Sequence, residues 1–301
     1  MSTTTTAPAP APSRGRRGPS PALLGALPFL LFVTVVLLLP IGVLAVEAFR
    51  ATDPTTFEES WSTDSLVTAT EGASARAYLG SLQLSAITAV LGTVLGLALA
   101  VAVVRAERGR LLRRLVLTAS GVLANFGGIP LAFAFIATIG STAGVITGLL
   151  TDLGLGLGGF SLYSMAGLAL VYLYFLIPLM VLTITPALEA LRPQWREASD
   201  NLGASAWQYW RHVGGPVLLP PVLGAMMLLF ASAFAAYATA KALVGSSVPL
   251  VTLQIADALS SNVVVGSENL GTALALGMVV VVGLVMAFYA WVQRRTQRWL
   301  A

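Results

Sequence analysis

Cysteine is absent from the 301 residues, and histidine occurs once, at His212. Without thiolates there are no disulfides, iron–sulfur clusters or Cys-based zinc sites, and one imidazole cannot build an H-E-x-x-H centre. Lysine also occurs once, as Lys241 followed by Ala242. That excludes a G-x-x-x-x-G-K-[ST] phosphate loop, so the chain does not bind ATP by that route. Charge is scarce as well: Asp, Glu, Lys and Arg supply 10% of the residues, against about 25% in soluble domains. Hydrophobic residues reach 56%, above the roughly 45–50% of globular chains. So little charge cannot clothe a soluble surface of this size, and a disordered chain would be poor in apolar residues. The composition is that of an integral membrane protein. No catalytic set, metal site or cofactor is expected.

What the sequence does have is length without charge. A bilayer core of roughly 30 Å needs about 20 apolar residues. Six stretches meet that requirement: 23–46, 80–104, 115–140, 162–186, 217–244 and 270–292. Five carry no charged residue, and the fifth in order carries only Lys241. The expected architecture is all-α, with six transmembrane helices in one membrane domain over 22–301. The Thr-, Ala- and Pro-rich segment 1–21 is expected to be a disordered cytoplasmic tail. The apolar run after Arg14, Arg16 and Arg17 is longer than a signal-peptide core, which favours an uncleaved first span.

Arginine placement orients the spans. Alternate connections collect Arg105, Arg108, Arg110, Arg113 and Arg114, then Arg192, Arg196 and Arg211, then Arg294, Arg295 and Arg298. With the N-terminal three, these are 14 of the 17 basic residues, which puts both termini in the cytoplasm. Nine of the 13 acids fall on the other side. The net charge of +4 is therefore a topological signal, not a nucleic-acid footprint. Segment 141–161 is apolar, but Asp152 and its glycines argue for an outer loop or a re-entrant hairpin. Gly154, Gly156 and Gly159 match G-x-G-x-x-G without the strand–helix context that would give it meaning.

The inner connection 187–216 reads as helix, glycine turn, helix. Pro193 suits a first helical turn. Trp195, Ala198 and Leu202 then share one face. Gly203 breaks the run, Ser205 caps a second helix, and Trp207, Trp210 and Val213 form its apolar face. Gly214, Gly215 and Pro216 are expected to end that helix before the fifth span. Three exposed tryptophans fit an interfacial helix pair or a docking surface for a soluble partner. A DNA-reading helix-turn-helix is disfavoured by the tether at both ends.

Glu197-Ala198-Ser199, Gly203, Trp210, Val213 and Pro216 resemble the "EAA" loop of ABC importer permeases, at that family's address before the penultimate span. Ser199 and Gly215 depart from its usual Ala and Leu. A weaker likeness covers about residues 78–293. The resemblance implies the type I ABC importer permease fold, in the plasma membrane of a bacterium. It further implies that Glu197, Ala198, Gly203, Trp207, Trp210, Val213 and Pro216 couple to a cytoplasmic ABC ATPase dimer. A second permease subunit and an extracytoplasmic substrate-binding protein would complete the assembly. The look is nearest to the polyamine, sulfate, ferric-iron and phosphonate group, with sugar permeases as the alternative. An ion-coupled secondary transporter would need ionisable residues within its spans.

Polar and helix-breaking positions inside spans mark the expected pathway: Asn125, Gly127, Gly128, Pro130, Tyr237 and Lys241. The Asn125–Pro130 stretch either lines a cavity or is a close-packed kink. Lys241 either snorkels to the surface or faces the pathway. Gly92 and Gly96 are a helix-packing pair. Glu47 and Asp257 are read as solvated, and 248–260 as a short outer helix.

Overall fold

The computed structural model describes residues 21–52, 58–105, 110–140, 144, 146–148, 160–260 and 267–297. Residues 1–20 of the expected 1–21 tail and most of 141–161, with Asp152, Gly154, Gly156 and Gly159, lie outside the described residues; Pro21 opens a helix.

The first crossing is α1 (Pro21–Phe32), a π-helical segment (Val33–Leu38) and α2 (Leu39–Glu47). The π segment precedes Pro40, whose missing N–H removes a donor from the ladder; the Leu39 N–H reaches back to the Thr34 carbonyl. A two-stranded hairpin follows, β1 (Arg50–Thr52) antiparallel to β2 (Glu59–Trp61) with Arg50 opposite Trp61. The sequence reading has no counterpart for it. Arg50 bonds Glu59 at 3.0 Å and Glu47 at 3.3 Å, so Glu47 is ion-paired and not simply solvated.

A short α3 (Asp64–Thr70) leads to α4 (Gly72–Arg105), 34 residues long. Its buried face is a stripe of small residues including Ala77, Ser81, Ser85, Ala89, Gly92 and Gly96. Small side chains let backbones approach closely where lipid offers no hydrophobic driving force between helices. A Cβ on Gly96 would sit 2.5 Å from Met180 Cβ, so the expected packing role of this glycine holds. The partner is α7 (Met165–Glu189), whose Leu168, Val171, Tyr172, Leu176 and Met180 are fully buried. The opposite face of α4, with Leu79, Ile87, Val90 and Val94, is exposed, as lipid-facing side chains must be.

The third expected span, 115–140, is divided. α5 (Arg110–Leu123) stops at a break, and α6 (Ile129–Ile139) resumes after it. The fifth divides too, into α10 (Gly215–Phe234) and α11 (Ala238–Val244), separated by Ala235–Tyr237. Among the described residues, five helices are long and apolar enough to cross a membrane; residues 115–140 supply no sixth continuous one. Gly127, Gly128 and Pro130 explain the first break, since helix continuation there would lose a donor and fix two flexible glycines. α12 (Val251–Ser260) confirms the short helix expected within 248–260 and precedes α13 (Ser267–Gln297).

Candidate functional site

Two regions carry the residues singled out above. The first is the cytoplasmic loop. α8 (Pro193–Asn201) opens with Pro193 in its first turn, as expected. It ends in a Schellman turn: the Gly203 N–H bonds the Asp200 carbonyl at 2.9 Å, and the Ala204 N–H bonds the Ser199 carbonyl at 3.0 Å. Gly203 has φ +75°, a left-handed conformation that costs a Cβ-bearing residue roughly 1–2 kcal/mol. α9 (Ala206–Tyr209) opens with a full capping box between Ser205 and Gln208. All four residues between the two helices, Leu202 to Ser205, thus have their backbone N–H groups bonded.

The second helix does not end at Gly214–Pro216. It continues from Ala206 to Phe234 through a π-helical turn, Trp210–Gly214. The Gly215 N–H bonds the Trp210 carbonyl, five residues back. Widening the turn accommodates Pro216, which has no N–H to offer, so the helix runs on past the expected stop. Trp210 folds over this turn; a Cβ on Gly214 would lie 2.8 Å from its ring, and one on Gly215 2.5 Å from its carbonyl oxygen. Gly215, a departure from the motif, is therefore required by local packing.

The face expected from Trp207, Trp210 and Val213 is divided. Trp207 is 72% exposed. Trp210 turns inward, with the Arg105 guanidinium 5.3 Å from its ring centre. Val213 joins Trp195, Ala198, Leu202, Tyr209 and His212 around a groove of about 640 Å³, so the face expected on α8 is intact. Leu202 is 87% exposed beside Gly203. Glu197 is exposed and makes no ion pair with any described residue. Arg113 on α5 pairs with Glu189 at the end of α7, and Arg196 pairs with Asp200 at 3.0 Å while lying over the Tyr209 ring at 5.3 Å. The loop is anchored on one side and offers Leu202, Trp207 and Glu197 on the other.

The second region is where the two helix breaks meet. The Gly128 N–H, freed by its break, donates to Thr239 Oγ1 at 2.8 Å. The Ala236 carbonyl, freed by the other break, accepts from Tyr172 Oη at 3.0 Å. Asn125 Nδ2 donates to the Gly121 carbonyl at 2.9 Å, covering an orphan acceptor at the end of α5. Pro130 occupies the first turn of α6. Gly128 has φ +77°, so both Gly128 and Gly203 are turn glycines by necessity. Tyr237 stands exposed immediately before α11. Lys241 is half-exposed and pairs with Asp257 of α12 at 2.6 Å; Asp257 is not simply solvated. Sequence reasoning named Gly128 and Tyr237 separately and placed neither Thr239 nor Tyr172 in the site. The available signal was a buried hydroxyl within an apolar span, which needs a partner.

Interrupted apolar crossings that meet, with a tethered helical loop on the arginine-rich side, define a multi-pass α-helical membrane protein. The chain belongs to the family described as "Binding-protein-dependent transport system inner membrane component", which matches residues 92–298. It is similar to the sulfate transport system permease protein CysT of Escherichia coli (strain K12), 37% identical over 68 residues. That match covers 23% of this chain and 24% of the relative's length. A longer likeness, 28% identical over 72% of this chain and 79% of the relative, is to the molybdenum transport system permease protein ModB of Mycobacterium tuberculosis (strain ATCC 25618 / H37Rv). Among solved structures, a bacterial ABC transporter involved in alginate import has a TM-score of 0.68 at 18% identity, over 91% of this chain and 96% of that one. The MetNI methionine ABC transporter gives 0.54 at 18% identity over 74% and 95%. These two likenesses establish the fold.

Proposed function

We propose that the chain is the membrane-spanning subunit of an ABC importer, forming the solute pathway and coupling it to ATP hydrolysis on a separate cytoplasmic ATPase dimer. The observation that carries this reading is the loop 187–216: two helices joined by a Schellman turn at Gly203, held to α4 by Arg105 over Trp210, and presenting Leu202, Trp207 and Glu197, which makes no ion pair with any described residue. Exposed aromatic and aliphatic side chains beside a carboxylate suit docking into a groove with a basic residue. Closure of two ATPases would draw two such loops together and rock two permease subunits between inward- and outward-facing states. An extracytoplasmic binding protein would deliver the solute.

The junction of the two breaks is the proposed pathway. Non-helical backbone at membrane depth is tolerated where it is buried in protein or lines a cavity. The proposed solute is small and charged. An inorganic oxyanion is the first to test, since sulfate and molybdenum permeases are among the relatives; polyamine, phosphonate and ferric iron follow. The deciding experiment is uptake in vesicles reconstituted with this chain, its partner permease, ATPase and binding protein. ATP-dependent accumulation is expected. Accumulation driven by an ion gradient with no ATPase present would overturn the reading.

A further inference from the structure

A second cytoplasmic cavity, of about 510 Å³, lies between the inner end of α4, the end of α7 and the loop. Its walls are of two kinds. Val101, Val104, Leu188 and Leu191 supply an apolar side, and Arg105, Arg192 and Arg196 supply three guanidiniums. Among the described residues, Arg196 alone of the three pairs with a carboxylate, that of Asp200. Arg105 and Arg192 make no ion pair with any described residue, and nearby Glu189 is held by Arg113. Tyr209 and Trp210 also line the space, each carrying a guanidinium over its ring.

We infer that this cavity binds the phosphate-bearing headgroup of an anionic lipid from the inner leaflet. Planar guanidiniums recognise phosphate oxygens through paired N–H donors and are weakly hydrated, which suits a partly desolvated site. The placement selects a lipid over a free anion. Arg105 ends the 34-residue α4 and directly follows its apolar stretch 80–104, so the cavity sits where span meets cytoplasm. Its valine and leucine wall gives the first methylenes of an acyl chain a surface that inorganic phosphate cannot use. Basic pockets between helices on the cytoplasmic side are suited to such headgroups, and the tryptophan and tyrosine lie in the zone these residues favour. An occupant would bridge the inner end of α4 and the loop. The inference is independent of the transported solute.

The test uses the full-length chain purified in detergent, with native mass spectrometry counting retained lipid. Phosphatidylglycerol is titrated against phosphatidylcholine, and inorganic phosphate is added as a competitor. One retained phosphatidylglycerol, preferred over phosphatidylcholine, is expected. Arg105→Gln/Arg192→Gln is expected to weaken retention by about fivefold for each guanidinium removed. Arg211→Gln, an exposed arginine outside the cavity, is expected to leave it unchanged. Because Arg105 packs on Trp210, an unchanged thermal melt is required of the double variant. Arg192→Gln alone, which loses no such contact, gives the same reading without that risk. Equal retention by wild type and Arg192→Gln overturns the proposal. So does displacement of the lipid by millimolar phosphate with no preference for phosphatidylglycerol.

Discussion

The Gly128 N–H and the Thr239 hydroxyl, 111 residues apart in sequence, join at 2.8 Å and pin two interrupted membrane crossings to each other. Each break exposes backbone groups that lipid cannot satisfy, and each supplies its partners from the other crossing or from α7. The hydroxyl also approaches the Gly128 carbonyl at 3.4 Å. Thr239 thereby addresses both backbone groups of one residue.

Removing that hydroxyl while keeping shape isolates its contribution. Thr239→Val is expected to destabilise the detergent-solubilised protein by about 1–3 kcal/mol, the cost of an unsatisfied buried group, and Thr239→Ser to restore most of it. Thermal unfolding measures both, and equal melting temperatures for Val and Thr would remove the hydroxyl from this account. Tyr172→Phe should behave in the same direction, because it strands the Ala236 carbonyl.

Gly203 separates backbone strain from side-chain bulk. With φ +75° and no atom within 4 Å of a built Cβ, the position has space but the wrong dihedral for most residues. Gly203→Asn, which tolerates that dihedral, is expected to retain ATPase association better than Gly203→Val. Gly203→Asp is expected to lose transport and ATPase co-purification, because it adds a carboxylate beside Leu202, while membrane insertion stays intact. Normal ATPase recovery with Gly203→Asp would refute the docking role.

Trp210 and Gly214 form a matched pair. Gly214→Ala places a methyl 2.8 Å from the indole ring and is expected to cost about 1–3 kcal/mol, as overpacking does. Trp210→Ala should remove most of that penalty, so a double-mutant cycle on thermal stability is expected to show strong coupling. Additive effects would mean that the ring is not held where the structure places it.

Lys241 and Asp257 link α11 to α12 through half-exposed side chains. Lys241→Gln is expected to leave the melting temperature unchanged, since exposed pairs contribute little to global stability. It should speed hydrogen exchange in residues 251–260. The charge exchange Lys241→Asp/Asp257→Lys is expected to restore protection there. Exchange rates identical to wild type in the single variant would show that the pair does not tether α12.

Much of the loop was legible because its signals are local. Pro193 at a helix start, Gly203 at a turn and Ser205 as a cap are decided by the backbone needs of a few neighbouring residues. The expected stop at Gly214–Pro216 did not occur, since a π turn lets a helix continue past a proline. Trp207 and Trp210 differ because only Trp210 meets a neighbouring helix, with Arg105 over its ring. The pairings of Glu47 and Asp257 were not legible, because an acid's partner is fixed by distance in space.

The sequence by itself determined that this protein lies in a membrane, which segments are apolar enough to enter it and which connections gather its arginines. Apolar length, charge bias and capping are properties of contiguous residues, and the bilayer acts on each segment separately. Only the tertiary structure decided that the third and fifth crossings break, and that the breaks meet through Gly128, Thr239, Tyr172 and Ala236. It alone placed Trp210 under Arg105 and gathered three arginines around one cavity. Those choices depend on helix packing against a stripe of small residues on α4. Freed backbone donors and acceptors then take whichever hydroxyl that packing brings within reach.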